Sequence, residues 1–135
     1  MSKESSLSLL HDYHAAWERG DQAAGIAFFA EDVVVHMGGD GPLAGDYHGR
    51  DAFVSEWIDR VANYTDTWEV GGQNEVLLAG DEGVLLMVHE IWTKGGRSVA
   101  TDRLGLYKFA EGQIVECWFS DMNQQEVESF FGNLD

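Results

Sequence analysis

The chain has 135 residues, 44% apolar and 12% aromatic, and sets 24 carboxylates against three lysines and five arginines. A formal charge of −16 excludes nucleic acid and anionic membranes as partners, because such a surface repels polyanions. One cysteine, Cys117, excludes an intramolecular disulfide.

The length is near the commonest domain size and suffices for a core without staples, so one domain, residues 1–135, is expected. Met1–Ser8 is polar and lacks the apolar run of a signal peptide. No stretch reaches the ~18 apolar residues of a membrane span, and the expected location is the cytoplasm. The acidic surface is read as a solubility device, with a cationic ligand as the sharper alternative.

In chain order, residues 5–19 are predicted as a helix. Leu7, Leu10, Tyr13, His14 and Trp17 recur on one face at three- and four-residue steps. Gly20 suits the position past its end, and Asp21 suits the N-cap of a second helix reaching about Ala30. That helix turns Ala23, Ile26, Ala27 and Phe29 inward. Val33–Met37 reads as a short strand, and residues 38–49, rich in glycine around Pro42, as a loop. Asp51 can cap a third helix with the stripe Phe53, Val54, Trp57, Ile58 and Val61.

The second half is a run of strands joined by tight glycine turns. They cover Thr67–Leu78 with a bend at Gly71-Gly72, Gly83–Thr93, Arg97–Phe109 and Gln113–Asp121, each connection short enough for a hairpin. A last helix covers about Gln124–Phe131. Helices first and then a long meander predict a curved sheet wrapped around a pocket, an α+β fold.

That order, and several motifs, carry a resemblance. They are Tyr13-His14-Ala15-Ala16-Trp17 with Gly20-Asp21, then Phe29 to His36, Gly41 to Asp51, Glu111 to Glu116, and Trp118 to Asp121. Over nearly its whole length the sequence resembles the nuclear transport factor 2 and ketosteroid isomerase superfamily, most closely its SnoaL-like, polyketide-cyclase-like branch. The resemblance implies a cystatin-like α+β barrel: a cone-like, mixed or antiparallel sheet closed by N-terminal helices. It also implies proton-transfer chemistry of the isomerase, cyclase or lyase type, without a cofactor, on an apolar carbonyl compound. Fold alone does not settle function, and a non-catalytic ligand-binding or accessory dimer is the alternative.

Residue by residue, the resemblance is selective. The helix-one tyrosine that serves ketosteroid isomerases as oxyanion donor is matched by Tyr13. Their general base falls at Met37 and their protonated aspartate at Gly105, neither able to carry a proton. The limonene epoxide hydrolase pattern also fails, with Phe119 at the strand-five aspartate position and no acid or arginine in Leu86 to His89. The SnoaL-like acid/base aspartate is matched by Asp121.

The residues read on their own give a candidate catalytic set of Asp121, Tyr13, His36 and Arg103. By alternation Asp121 shares a face with Cys117 and Phe119; it is either the proton carrier or a cap for the last helix. His36, a histidine titrating near neutrality, is either a relay or a structural residue, and alternation sets it opposite Met37. Tyr13 is a donor or core. Arg103 is either an exposed arginine on the outer face, at a dimer interface, or a buried one that needs Asp121, Glu90 or a ligand anion as partner. Trp17, Met37, Phe53, Trp57, His89, Cys117 and Phe119 are expected to line the pocket, although only one of His89 and Glu90 can face inward. His11 and His14 lack the further ligands of a metal site, and none is expected. Apolar residues on both faces of the late strands (Leu85, Leu86, Leu104, Leu106, Trp118, Phe119) predict a homodimer through the convex sheet.

Overall fold

A computed structural model describes residues 2–71 and 74–134. Helix α1 spans Lys3–Glu18 and starts at a capping box, in which the Ser2 hydroxyl accepts from the Ser5 amide at 3.1 Å. Its inner face buries Leu10, Tyr13, His14 and Ala16. Asp21 caps helix α2, Gln22–Ile26, by accepting the Ala24 amide.

Helix α2 ends four residues earlier than its apolar pattern suggests, because Phe29 and Ala30 already belong to strand β1, Phe29–Met37. Phe29 does point inward, but from the strand, where it pairs with Ile114. The loop expected over residues 38–49 contains strand β2, Gly45–His48, antiparallel to β1. Gly49, with φ 97°, occupies the N-cap of helix α3, Arg50–Phe53, so Asp51 sits in the first turn and caps nothing. The same helix runs on through a π-helical segment, Val54–Ile58, into helix α4, Asp59–Tyr64. The wider turn leaves Phe53 and Trp57 stacked at 5.5 Å and buries Ile58 beside them.

The strand expected over Thr67–Leu78 is two strands, β3 (Thr67–Val70) and β4 (Glu75–Ala79). Between them the Gly71 amide donates to the His89 carbonyl at 2.7 Å. A Cβ on Gly71 would lie 3.0 Å from that oxygen, so any larger residue would have to push the two strands apart by a few tenths of an ångström. Gly72, the other half of the expected bend, lies outside the described residues. Strands β5 (Gly83–Lys94), β6 (Arg97–Ala110) and β7 (Gln113–Asp121) follow as predicted, and helix α5 spans Gln124–Phe130.

The sheet runs β2-β1-β7-β6-β5-β3, with β4 also paired to β5. It is mixed rather than a plain meander: β1 lies parallel to β7 and all other pairs are antiparallel. Alternation along β5 to β7 gives one continuous inner face, which includes Val88, Glu90, Trp92, Thr101, Arg103, Tyr107, Cys117 and Phe119. The core fills the space between that face and the helices. No helix among the described residues is long and apolar enough to cross a membrane.

Candidate functional site

Two hollows open on the inner face. The first is lined by Tyr13, His14 and Trp17 of α1, Met37 of β1, Phe53, Trp57 and Ile58, and by Trp68, Val70, Val88, Glu90, Arg103, Tyr107 and Phe119 of the sheet. Its cavity volume is about 40 Å³, room for a few waters at ~10–15 Å³ each. The second hollow has a similar volume, about 40 Å³, between the loop from Gly38 to Ala44, helix α5, Trp92 and Asp121. Met37 and Trp57 line both and stand between them.

Arg103 is the electrostatic centre. It is 5% exposed, beneath the rings of Trp57, Trp92 and Phe119, with its guanidinium carbon 5.3–5.8 Å from their centres. A buried cation requires charged partners. Arg103 donates through Nη1 to Glu90 Oε2 at 2.8 Å and through Nε to Asp121 Oδ1 at 3.3 Å. Burial pushes its pKa down, but the two carboxylates outweigh that and hold it above its ordinary value. Glu90 Oε1 accepts from the Trp68 indole at 2.7 Å, and Asp121 Oδ1 also accepts from the Thr101 hydroxyl. Among the described residues every hydrogen bond to Asp121 falls on Oδ1.

Tyr13 is 6% exposed and ringed edge-on by His14, Phe28, Phe29 and Tyr107. Burial drives its pKa far up, so the hydroxyl stays a donor. Burial pushes His14 down to about 4, which leaves a neutral imidazole on the wall. The Cys117 thiol is also pushed up by burial and stays protonated.

The sequence-predicted residues divide. Tyr13, Trp17, Met37, Phe53, Trp57, Arg103 and Phe119 meet at the first hollow. Asp121 lines the second, so it and Tyr13 do not look into a common space. Cys117 points inward as expected but is fully buried and lines neither hollow. His36 and His89 face away from the interior. Met37 takes the inner side of β1, and His36 lies on the outer side between Asp46 and Glu116, 2.7 Å from each. Glu90 takes the inner side of β5, and His89 pairs outside with Asp102 at 2.5 Å. Gly105 leaves the space that rings fill: a Cβ there would meet Tyr107 at 2.9 Å and Phe119 at 3.2 Å.

Glu90, Trp68, Tyr107 and His14 are wall residues that the sequence reading did not place in the site. Glu90 was legible as the partner a buried Arg103 requires, and His14 as the neighbour of Tyr13. Among the described residues no group of three or more His, Cys, Asp and Glu could hold a metal ion.

Solved structures share this architecture. A protein of unknown function with a cystatin-like fold from Xanthomonas campestris is 19% identical, with a TM-score of 0.83, over 94% of this chain and 98% of its own. A polyketide-cyclase candidate from Xanthomonas campestris pv. campestris is 23% identical, with a TM-score of 0.69, over 94% and 96%. TerC, co-crystallised with polyporic acid, is 14% identical, with a TM-score of 0.74, over 96% and 97%. At these identities the likeness is one of fold. No curated protein sequence matches significantly. The SnoaL-like domain model matches residues 10–117, and the chain belongs to that family.

Proposed function

We propose that this protein is a cofactor-free enzyme that moves protons on a small, apolar carbonyl compound, in an isomerisation, cyclisation or elimination. The family supports this reading, and the likeness to a polyketide-cyclase candidate agrees with it. The observation that carries it is the arginine between two carboxylates. With Glu90 and Asp121 both ionised, the buried cluster holds one negative charge more than Arg103 neutralises. A proton arriving on Asp121 leaves the cluster neutral.

The chemistry follows from the groups present. Asp121 takes the proton from the carbon beside the carbonyl, the C–H electrons move into an enolate, and the same carboxyl returns the proton at a second position. The Tyr13 hydroxyl donates to the oxygen on which charge develops. Because the two groups line different hollows, the substrate lies across Met37 and Trp57.

The test is deuterium exchange at the α-carbon of a panel of aryl ketones in D2O, followed by NMR. Asp121→Asn is expected to slow exchange by about a hundredfold or more, and Tyr13→Phe by about a hundredfold. Unchanged exchange in the Asp121 variant would remove that residue from the mechanism.

The absence of an acid at Met37 and Gly105, with hollows of about 40 Å³ each, favours a second reading, a non-catalytic ligand-binding dimer. In either reading we infer that a second copy covers the outer sheet. Leu85, Leu106 and Trp118 are register partners across β5, β6 and β7, forming an apolar row on that face, with Leu106 exposed. A two-fold axis would set this row against itself. Light scattering should find a dimer at micromolar concentration and a monomer for Leu106→Glu; a wild-type monomer would refute the pairing.

A further inference from the structure

Trp92 is 1% exposed, and its indole Nε1 has no hydrogen-bond partner among the described residues. Buried donors are nearly always matched, and other polar groups nearby are: the Trp68 indole donates to Glu90 and the Tyr64 hydroxyl to the Phe130 carbonyl. Trp17 Nε1 also makes no well-formed hydrogen bond among the described residues, but it lies next to the Tyr13 hydroxyl and is pressed against helix α2, where a Cβ on Gly25 would lie 2.7 Å from it. Trp92 instead lines the second hollow, with Leu43, Val127 and Phe131 as apolar walls and Asp121 beside it.

We propose that this second hollow is a binding subsite for a neutral hydrogen-bond acceptor, with the Trp92 N–H as its donor. An indole N–H only donates, so the ligand group there accepts. Asp121 and Glu128 both line the hollow, and their charge opposes a carboxylate or phosphate. A ketone, ester or lactone carbonyl fits.

The partition makes the subsite reachable from the first hollow. Met37 is unbranched and repacks easily. Trp57 sits on the π-helical segment, a local irregularity that recurs at functional sites. When Met37 swings aside, the two hollows form one slot with a hydroxyl donor, Tyr13, at one end and an N–H donor, Trp92, at the other. The ligand is therefore elongated, apolar in its middle and oxygenated at both ends. This inference rests on the reading that the hollow takes a small apolar molecule, and it does not require that the molecule react.

Three probes test it by titration calorimetry: 4-hydroxybiphenyl, its 4′-acetyl derivative and its 4′-carboxylate. The ketone should bind about fivefold more tightly than the parent phenol, the factor for one neutral hydrogen bond, and the carboxylate more weakly than either. Trp92→Phe should abolish the ketone's advantage and leave the phenol's affinity little changed. Should that variant fail to fold, the wild-type protein decides. The Trp92 indole proton should move downfield in the NMR spectrum with the ketone and stay put with the phenol. Equal affinities for ketone and phenol, a Trp92→Phe loss common to both, an unmoved Trp92 proton, or no binding of any probe would each overturn the subsite. Exchange catalysis without ketone preference would sink this inference alone, and ketone preference without exchange would sink only the proton-transfer reading.

Discussion

The inner and outer faces of one sheet hold their charges in different ways. Inside, Arg103, Glu90 and Asp121 are packed among rings, with Arg103 and Glu90 each under 8% exposed in their side chains. Outside, the pairs are built on histidine, with Asp46 and Asp102 some 60% exposed. Buried charges interact strongly but lose their hydration, whereas exposed ones are screened and interact weakly. The inner cluster should therefore control stability and ligand chemistry, and the outer pairs, exposed in the single chain, should tune its stability only slightly.

The largest expected effect breaks the inner cluster. Glu90→Ala leaves the guanidinium with Asp121 alone and strips the Trp68 indole of its acceptor. Removing one partner of a buried pair costs ~3–5 kcal/mol. Urea denaturation should show the midpoint falling accordingly. A loss under 1 kcal/mol would mean that water already reaches Arg103, and the contrast between the faces would fail.

A smaller effect tests why this inner face carries rings where ketosteroid isomerases carry an acid. Gly105→Ala adds one carbon 2.9 Å from the Tyr107 ring and 3.2 Å from Phe119. Both rings are in close contact with neighbours, so the strain should cost ~1–3 kcal/mol and disturb the wall of the first hollow. Thermal unfolding reads the stability. A neutral or stabilising result would show that the two rings have room to yield.

The inner face was largely legible from the sequence because period-two alternation reports which residues share a side. It placed Asp121 with Phe119 and Cys117, Arg103 with Thr101, and Met37 opposite His36. What it could not report was distance along that face. Asp121 and Tyr13 both point inward, yet Met37 and Trp57 stand between the hollows they line. Strand β2 was hidden because Gly45–His48 offers only Tyr47 to the interior, too short a pattern to stand out from a glycine-rich loop. The early end of α2 was hidden because Phe29 suits the inner face of a helix or a strand equally well. Glu90 was missed as a site residue because only one of the neighbours His89 and Glu90 can face inward, and the pattern does not say which until Arg103, the cation that needs the acid, is known to be buried.

The smallest effect belongs to the outer face. His36 bridges β2 and β7 across β1, its two ring nitrogens each 2.7 Å from a carboxylate oxygen, one of Asp46 and one of Glu116, to which the protonated ring donates, and it stacks on Trp118 at 5.1 Å. The hydrogen bond to Glu116, then that to Asp46, raises its pKa above the usual value. A raised histidine pKa means that the folded chain holds the proton more tightly than the unfolded chain. Its contribution is then full below the unfolded value of ~6.5, provided the carboxylates are ionised, and is lost as pH rises through the folded value. His36→Gln should therefore cost less than ~1 kcal/mol at pH 6, and that charge-dependent part should disappear by pH 9. Paired urea titrations at the two pH values read the difference. A cost that is equal at both would assign the role of His36 to its stacking on Trp118, and one that grows with pH would reverse the sign of its coupling to the two carboxylates.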